Sequence, residues 1–443
     1  MAIHLKPIRH LAVLLAAALL TCGPAHAQAL SSSKDEIAYR VRPGDTLLGL
    51  GERYFVSKDS YLRVARVNGL ADPNRLRVGS TILIPTAVLR FSRPEAKIIA
   101  FTGRASIASA GQLRPVAMHE RLLEGAIVET AENGYVTLQL ANGSRISLPS
   151  KSRMRIARMR TYLLTGGADL DFVVERGRTE TSATPLPDDR SRFRMRTPVA
   201  ISAVRGTVFR VGYEGPGSAS LTEVVEGTVA VNLGATGAQT TLPRGFGAAG
   251  LPGGNLKREE LLSPPEYEPG SEYQRAREVA FALKPQPGAV GYLIQIARDA
   301  EFSDLVGAAR SAEPTIVFGA LPTGHYYVRA MAIAPSGLIG MPRTAPFERN
   351  LQSLTARRTG RANGNWLLEW DLGQSAGNVY HLQLFEVGNR AVPIIDEPGL
   401  KSRSMTIQGL PAGKYEWRVG VSRAQGGTIQ ETWTGVETFT VVK

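Results

Sequence analysis

Along residues 39–85 the apolar positions change period twice. Tyr39 and Val41 alternate with arginines, as on a strand with one buried face, and Pro43-Gly44 then turns the chain. Leu47, Leu50 and Tyr54 recur at three and four, which predicts a short helix whose start Asp45 or Thr46 caps by accepting from a free backbone N–H. A second helix is predicted from about Ser60, carrying Leu62 and Ala65 and stopped by Asn68-Gly69, and Ser80–Pro85 reads as a closing strand.

From about Lys97 to Asn255 helical periodicity disappears. Asn133-Gly134 and Asn142-Gly143 each favour a two-residue hairpin, and Val136, Leu138, Leu140, Ile146 and Leu148 alternate with polar residues, as strands with one buried face require. An all-β domain is predicted. Past Ser263-Pro264-Pro265 the chain repeats itself: Leu321-Pro322-Thr323-Gly324-His325-Tyr326 corresponds to Leu410-Pro411-Ala412-Gly413-Lys414-Tyr415, 89 residues on. Tyr292-Leu293-Ile294-Gln295-Ile296 likewise corresponds to Tyr380-His381-Leu382-Gln383-Leu384, 88 residues on. Tandem copies of this size built from short alternating strands predict two β-sandwiches, with Tyr326 and Tyr415 as sheet corners or core.

Residues 1–27 read as an export signal: Lys6 and Arg9 are basic, Leu11 to Leu20 is apolar throughout, and Ala25-His26-Ala27 places small residues before Gln28. Lipoprotein processing before Cys22 is the alternative, since Leu19-Leu20-Thr21-Cys22 has that outline. The apolar run is shorter than the roughly 20 residues a spanning helix needs, and no other stretch approaches it, so the mature chain is expected without a transmembrane span. Cys22 is the only cysteine, so cleavage at Gln28 removes disulfides, thiolate metal ligands and cysteine nucleophiles together. A hydrophobic content of 43% with Gly 46 and Pro 27 excludes wholesale disorder and a long coiled coil.

The formal net charge of +13 favours anionic surfaces, but 42 of the 52 basic residues are arginine, and a coding bias explains that equally well. One cluster is local. Arg190, Arg192, Arg194 and Arg196 alternate with Ser191, Phe193 and Met195, so on a strand they share one face while Phe193 and Met195 enter the core. Either neighbouring strands pair the stripe through acids such as Glu175 or Glu180, or it binds an anionic polymer or acidic protein. Gly245 to Gly250 fits a dinucleotide fingerprint by letter, yet Pro252, Gly253 and Gly254 follow where a helix is required. Beyond the leader only His119, His325 and His381 remain, without a His-x-x-x-His pair or a Gly-x-Ser-x-Gly elbow. Paired carboxylates for glycan cleavage, which meet only in space, stay open.

Two blocks carry family resemblances. Pro43-Gly44-Asp45-Thr46-Leu47, Val67-Asn68-Gly69-Leu70, Leu76-Arg77-Val78-Gly79 and Ile84-Pro85 closely resemble the LysM module, departing at Leu48 where many members have Trp. The resemblance implies binding of peptidoglycan or another N-acetylglucosamine glycan, in a groove formed by Gly44, Asp45, Thr46, Leu47, Asn68 and Leu70. Gly125 to Thr130, Tyr135 to Ser144, Thr197-Pro198-Val199-Ala200 and Val204 to Val211, with Arg205-Gly206-Thr207, resemble the FecR domain. Familiar FecR proteins are membrane-anchored regulators that couple an outer-membrane receptor to a sigma factor. Their cytoplasmic helical region and membrane span have no counterpart here, so a fold and a binding role are implied, without sigma-factor control. The C-terminal repeats resemble the fibronectin type III superfamily in general.

The expected chain is therefore mainly β and multidomain: signal peptide 1–27, a small α+β (βααβ) LysM module 38–86, an all-β FecR-like domain 97–255, and fibronectin type III-like sandwiches 265–349 and 351–443. The expected function is a non-catalytic periplasmic scaffold or adaptor, held to the cell wall by the LysM module and recruiting an envelope protein through its β domains. The alternative is an envelope signal sensor acting through the FecR-like domain, with a glycan hydrolase behind both. No cofactor, metal or nucleic acid is expected.

Overall fold

The computed structural model describes residues 35–109, 111–186, 190–234, 237–274, 278–349, 355–360, 365–371, 379–390, 392–425, 428–434 and 436–442. The expected leader 1–27, with Cys22 and the cleavage point before Gln28, lies outside the described residues, as do residues 351–354 at the expected start of the last repeat. The fold is mostly β, with one small region of strand and helix at the start. Two compact units emerge: one from residues up to Ser92 with Thr161–Ala168, the other from Arg93–Arg160 with Asp169–Lys443.

In the first unit β1 (Glu36–Arg40), α1 (Leu47–Tyr54), α2 (Ser60–Val67) and β2 (Thr81–Pro85) follow in the expected order. The two strands pair antiparallel, Tyr39 opposite Ile82 and Ile37 opposite Ile84, and all four side chains are buried. Thr46 caps α1, its Oγ1 accepting from the Gly49 N–H at 3.0 Å. Leu47 and Leu50 are buried on the core face, and Tyr54 packs against it. The second helix departs from expectation. Leu62 is 50% exposed, while Val64 and Ala65 are buried and Tyr61 packs on the core. Two turns of helix bury only a narrow stripe, and the larger ring of Tyr61 takes the place that the periodicity gave to Leu62.

The core of this unit continues beyond residue 86. Val88, Leu89 and Tyr162 belong to the same buried cluster, and Phe91 meets Tyr162 edge to face at 6.4 Å. Phe91–Ser92 pairs with Thr161 and Tyr162, and the Leu163 N–H donates to Arg90 O at 3.1 Å. A segment distant in sequence thus supplies part of the hydrophobic interior.

The second unit is organised around the fifteen-residue strand Ala168–Ser182. Its first part runs parallel to Arg192–Arg196, with Asp169 opposite Arg192 and Asp171 opposite Arg194. Its second part, from Gly177, runs antiparallel to Val208–Tyr213. Gly177 stands at the change of partners with φ 79°, and a Cβ there would lie 2.5 Å from Lys151 O, so the crossing requires glycine. Ala168–Ser182 thereby joins two sets of strands, one continuing to Gln239–Pro243 and the other to Leu256–Glu260.

Asn142-Gly143 forms the expected hairpin between Tyr135–Leu140 and Arg145–Leu148. Asn133-Gly134 does not. Ile127–Thr130 pairs with Ala105–Ser109 and Arg153–Tyr162, whereas Tyr135–Leu140 pairs with Ala96–Thr102 and Arg145–Leu148, so this turn is a corner between different sets of strands. Local turn preference was outweighed by the long-range partners available to each strand. Phe246–Gly250, within the dinucleotide look-alike, is a strand paired with Ser220–Glu226 and Leu256–Glu260.

Both C-terminal repeats are β-sandwiches. In the first, Gly291–Ala297 pairs with Leu305–Ser311 and Gly324–Ile333, and Val279, Phe281 and Ile316 from a two-stranded sheet pack onto Ile294, Ile296 and Val328. In the second, Val379–Glu386 pairs with Gly413–Gln425, and Leu368, Trp370 and Ile407 pack onto Leu382, Leu384 and Trp417. Tyr326 Oη donates to Pro322 O at 3.1 Å and Tyr415 Oη to Pro411 O at 2.9 Å, the same corner in each copy.

Because Tyr162 is fully buried in the first unit, Tyr162→Ala in the whole chain is expected to cost that unit about 3 kcal/mol. Limited proteolysis should then cut within 35–92 first, while the far-ultraviolet β signal of the remaining strands persists.

Candidate functional site

The six residues of the expected glycan groove have different tasks in the first unit. Gly44 is exposed at φ 85° with no atom where a Cβ would stand. Asp45 accepts from Tyr39 Oη and from the Arg42 N–H, each at 2.8 Å, and Arg53 lies 4.0 Å away. Burial, reinforced by the Asp45 carboxylate, pushes the Tyr39 phenol up to about 12. Thr46 is the helix cap, and Leu47 is fully buried. Asn68 bridges helix to sheet: its Nδ2 donates to Val64 O at 2.8 Å and Leu83 O at 2.7 Å, and its Oδ1 accepts from the Leu83 N–H at 2.7 Å. Leu70 packs against the core.

What this constellation holds in place is a pair of loops. The Leu47 N–H donates to Pro73 O at 3.2 Å and the Gly79 N–H to Val41 O at 2.9 Å, tying residues 41–47 to residues 73–79. Leu48 and Val78, 44% and 56% exposed, are apolar side chains these segments leave to solvent. Leu48 is the position that departs from the family's usual Trp, and neither it nor Val78 is among the six residues expected to form the groove. A glycan contact through these loops would rest on Gly44, backbone groups and such apolar side chains, because Asp45 and Asn68 are engaged in holding the turns.

The arginine stripe is largely paired. Arg192, Arg194 and Arg196 are half-buried on one face of their strand with Phe193 and Met195 buried beneath, as expected, while Arg190 sits in the turn before it. The acids are Asp169 and Asp171, not Glu175 or Glu180. Arg194 lies 3.0 Å from Asp169 and 3.3 Å from Asp171, Arg196 is 2.6 Å from Asp171, and Arg158 is 3.0 Å from Asp169. Parallel pairing with Ala168–Ser182 creates this match, which linear alternation does not reveal. Burial pushes the Asp171 carboxyl up, against the pull of Arg194 and Arg196. Glu175 instead binds Arg153 and Arg155, both at 2.9 Å, and these hydrogen bonds outweigh burial and hold it below the usual carboxylate range.

Residues 39–85 match the family model of the LysM domain, and residues 126–230 match that of the FecR protein. The chain carries a LysM domain and a FecR domain. Both families point to an extracellular or envelope protein, and LysM to binding of N-acetylglucosamine glycans such as peptidoglycan. No curated protein matches the sequence. Among solved structures, one described as a "putative anti-sigma factor" from Parabacteroides distasonis is similar at 16% identity and a TM-score of 0.26 over 30% of this chain. The match spans 59% of that structure's length. The FN1–FN3 domains of chicken CNTN1 are similar at 12% identity and a TM-score of 0.23, over 79% of this chain and all of that one. At these TM-scores neither likeness carries an argument about this chain. Among the described residues no helix is long and apolar enough to cross a membrane.

Where the FecR domain meets the first sandwich, charges are buried that sequence reasoning treated singly or missed. Glu180, Arg210 and Glu223 stand opposite one another on three neighbouring strands. Arg329 of the sandwich reaches Glu180 with both terminal nitrogens, at 2.7 and 2.6 Å, and donates through Nε to Gln295 at 2.7 Å. Arg178 donates to Glu223 and to Gly337 O, each at 2.8 Å, and Arg210 to Ile339 O and Gly340 O at 3.2 and 3.1 Å. Burial presses Glu180 upward, yet Arg329 and Arg210 hold it below the usual carboxylate range. Burial also lowers Arg210, opposed by Glu180 and Glu223. The usable signal was the period-two alternation of Arg178 and Glu180, which places both on one strand face.

Two outcomes follow from these contacts. Changing Arg194 and Arg196 together to Gln leaves buried Asp171 without a counter-charge, and a loss of about 1–3 kcal/mol in denaturant unfolding is expected, with the strands retained. Glu124, held by Arg160, and Glu175 and Glu180 all have folded values below their ordinary ones. The stability they contribute is therefore present above the ordinary carboxylate value of about 4.3 and lost as pH falls through the folded values. Denaturation midpoints measured from pH 6 to pH 3 should fall steeply below about pH 4, and Glu175→Gln should flatten that slope.

Proposed function

We propose that this protein is a non-catalytic adaptor of the cell envelope, directed to export by residues 1–27, held to peptidoglycan by its LysM domain and presenting its β domains to an envelope protein. The observation that carries the reading is the paired loop system of the LysM domain, where two hydrogen bonds join residues 41–47 to residues 73–79 beside exposed Gly44, Leu48 and Val78. Backbone groups and apolar side chains at a fixed spacing suit the acetamido groups and flat faces of an N-acetylglucosamine chain. A single module of this size gives weak binding, in the micromolar to millimolar range, or about 4–8 kcal/mol.

The FecR domain supports the second reading, a signal regulator whose output depends on a membrane partner. The two differ in the partner captured. A pull-down from envelope extract that recovers a regulator or receptor favours signalling, and one that recovers a structural wall or outer-membrane protein favours the adaptor.

Wall attachment is tested by sedimenting the whole protein with insoluble peptidoglycan. Leu48→Asp with Val78→Asp, both at exposed positions, is expected to lower retention at least tenfold, or about 1.4 kcal/mol, without change in circular dichroism. Full retention in this variant, and again after removal of residues 35–86, would transfer wall binding to the basic second unit.

A further inference from the structure

The second sandwich repeats a sheet face that the first one uses for docking. In the first copy Gln295 and Arg329 are 5% and 7% exposed where the sandwich meets the FecR domain, and Arg329 finds Glu180 there. In the second copy Gln383 and Arg418 take the equivalent positions on paired strands, yet both are only half-buried. Asp396 and Ile394, 51% and 50% exposed, stand beside them.

One row across this sheet fixes its chemistry. Gln383 of Val379–Glu386 lies between Asp396 of Ile395–Leu400 and Arg418 of Gly413–Gln425. Its Oε1 accepts from Arg418 Nε and Nη2 at 2.9 and 2.7 Å, and its Nε2 donates to Asp396 Oδ1 at 2.9 Å. His381 Nε2 meets the same Asp396 oxygen at 2.5 Å, and the Arg418 guanidinium rests 4.4 Å over the Trp433 ring. Both charged groups are thus held in one pose, while Arg418 Nη1 and Asp396 Oδ2 keep no hydrogen-bond partner among the described residues. Neither atom is sealed from solvent. Two strand spacings, about 10 Å, separate the backbones of acid and base, so the two do not pair with each other. The next row is already neutral, since Arg390 donates to Glu416 through Nε and Nη2 at 2.6 and 2.9 Å.

We propose that this face joins two copies of the chain. An acidic partner would satisfy Arg418 but set a like charge against Asp396, whereas a surface offering acid and base in the reverse order satisfies both. A second copy turned about a two-fold axis parallel to Val379–Glu386 has that order: Gln383 lies over Gln383, and Arg418 of each copy lies over Asp396 of the other. An axis running across the strands sets Arg418 against Arg418 and is excluded by charge. The guanidinium is already fixed by Gln383 and Trp433, so little side-chain freedom is lost when it meets the carboxylate. Ile394 adds apolar surface beside the row. The dimer carries two LysM domains, and on one glycan strand the second binding event becomes intramolecular. That consequence rests on the wall-binding reading, whereas the pairing itself is tested without glycan.

Sedimentation velocity of the whole protein over a concentration series is the experiment. A concentration-dependent dimer that weakens as salt is added is expected. Arg418→Glu and Asp396→Arg, each alone, oppose like charges and should raise the dimer dissociation constant about tenfold or more. Mixing the two variants in equal amounts should restore the dimer, because every charge then faces its opposite again, and circular dichroism checks that each variant is folded. Ile394→Asp, outside the hydrogen-bonded row, should also weaken the dimer and reads the same face independently. The proposal fails if the protein stays monomeric throughout the series, if the dimer survives the charge variants and Ile394→Asp unchanged, or if the mixture of folded charge variants does not associate.

Discussion

A carboxylate taken out of water must be met by cations, and Glu180 is met from two directions. Arg210 of its own domain lies 3.5 Å away, and Arg329 of the first sandwich grips both its oxygens. Removing both partners would strand the carboxylate, and in comparable buried pairs a stranded charge costs about 3–5 kcal/mol. The requirement ties two domains that the sequence separates at Ser263-Pro264-Pro265. Apolar clusters flank the charges: Tyr135 with Phe302 and Leu305 in one, Leu221 and Ala249 with Leu261 and Leu338 in the other.

The duplicated half shows how the same position can serve two ends. Gln295 and Arg329 stand opposite each other in the first copy, and Gln383 and Arg418 in the second, with the arginine Nε donating to the glutamine Oε1 in each. In the first copy the guanidinium goes on to Glu180. In the second it lies 4.4 Å over the ring of Trp433, a cation–π contact within its own sheet. The core and the tyrosine corner are common to both copies, whereas the guanidinium end of the arginine differs in what it meets, an acid in the first and a ring in the second. Duplication preserved the scaffold, and the neighbour decided the use.

The LysM domain illustrates the difference between a motif and a contact. Asp45, Thr46 and Asn68 recur in the motif at fixed spacing, and in the structure each holds the backbone of a turn or a helix end. Their arrangement shapes the loops without requiring that their side chains touch a sugar. What remains open to a ligand is Gly44, where the backbone itself is uncovered, and the exposed apolar side chains of the two loops.

Short-range order was legible from the chain. The period of Leu47, Leu50 and Tyr54, the cap at Thr46, the alternation through Val136 to Leu148 and the repeat around Tyr326 and Tyr415 all produce the elements expected, because each depends on residues a few positions apart. What the sequence could not decide is which distant strands meet. Asn133-Gly134 became a corner, the arginine stripe found Asp169 and Asp171 through a parallel pairing, and Tyr162 joined a core begun more than a hundred positions earlier. The buried charge cluster between FecR domain and sandwich belongs wholly to that second class. Its arginines are spread from position 178 to position 329, and only the register of strands paired across the fold brings them to one place. Local propensity acts over one turn or one strand, whereas burial of charge and apolar surface acts across the whole packed interior, and only folding reveals its partners.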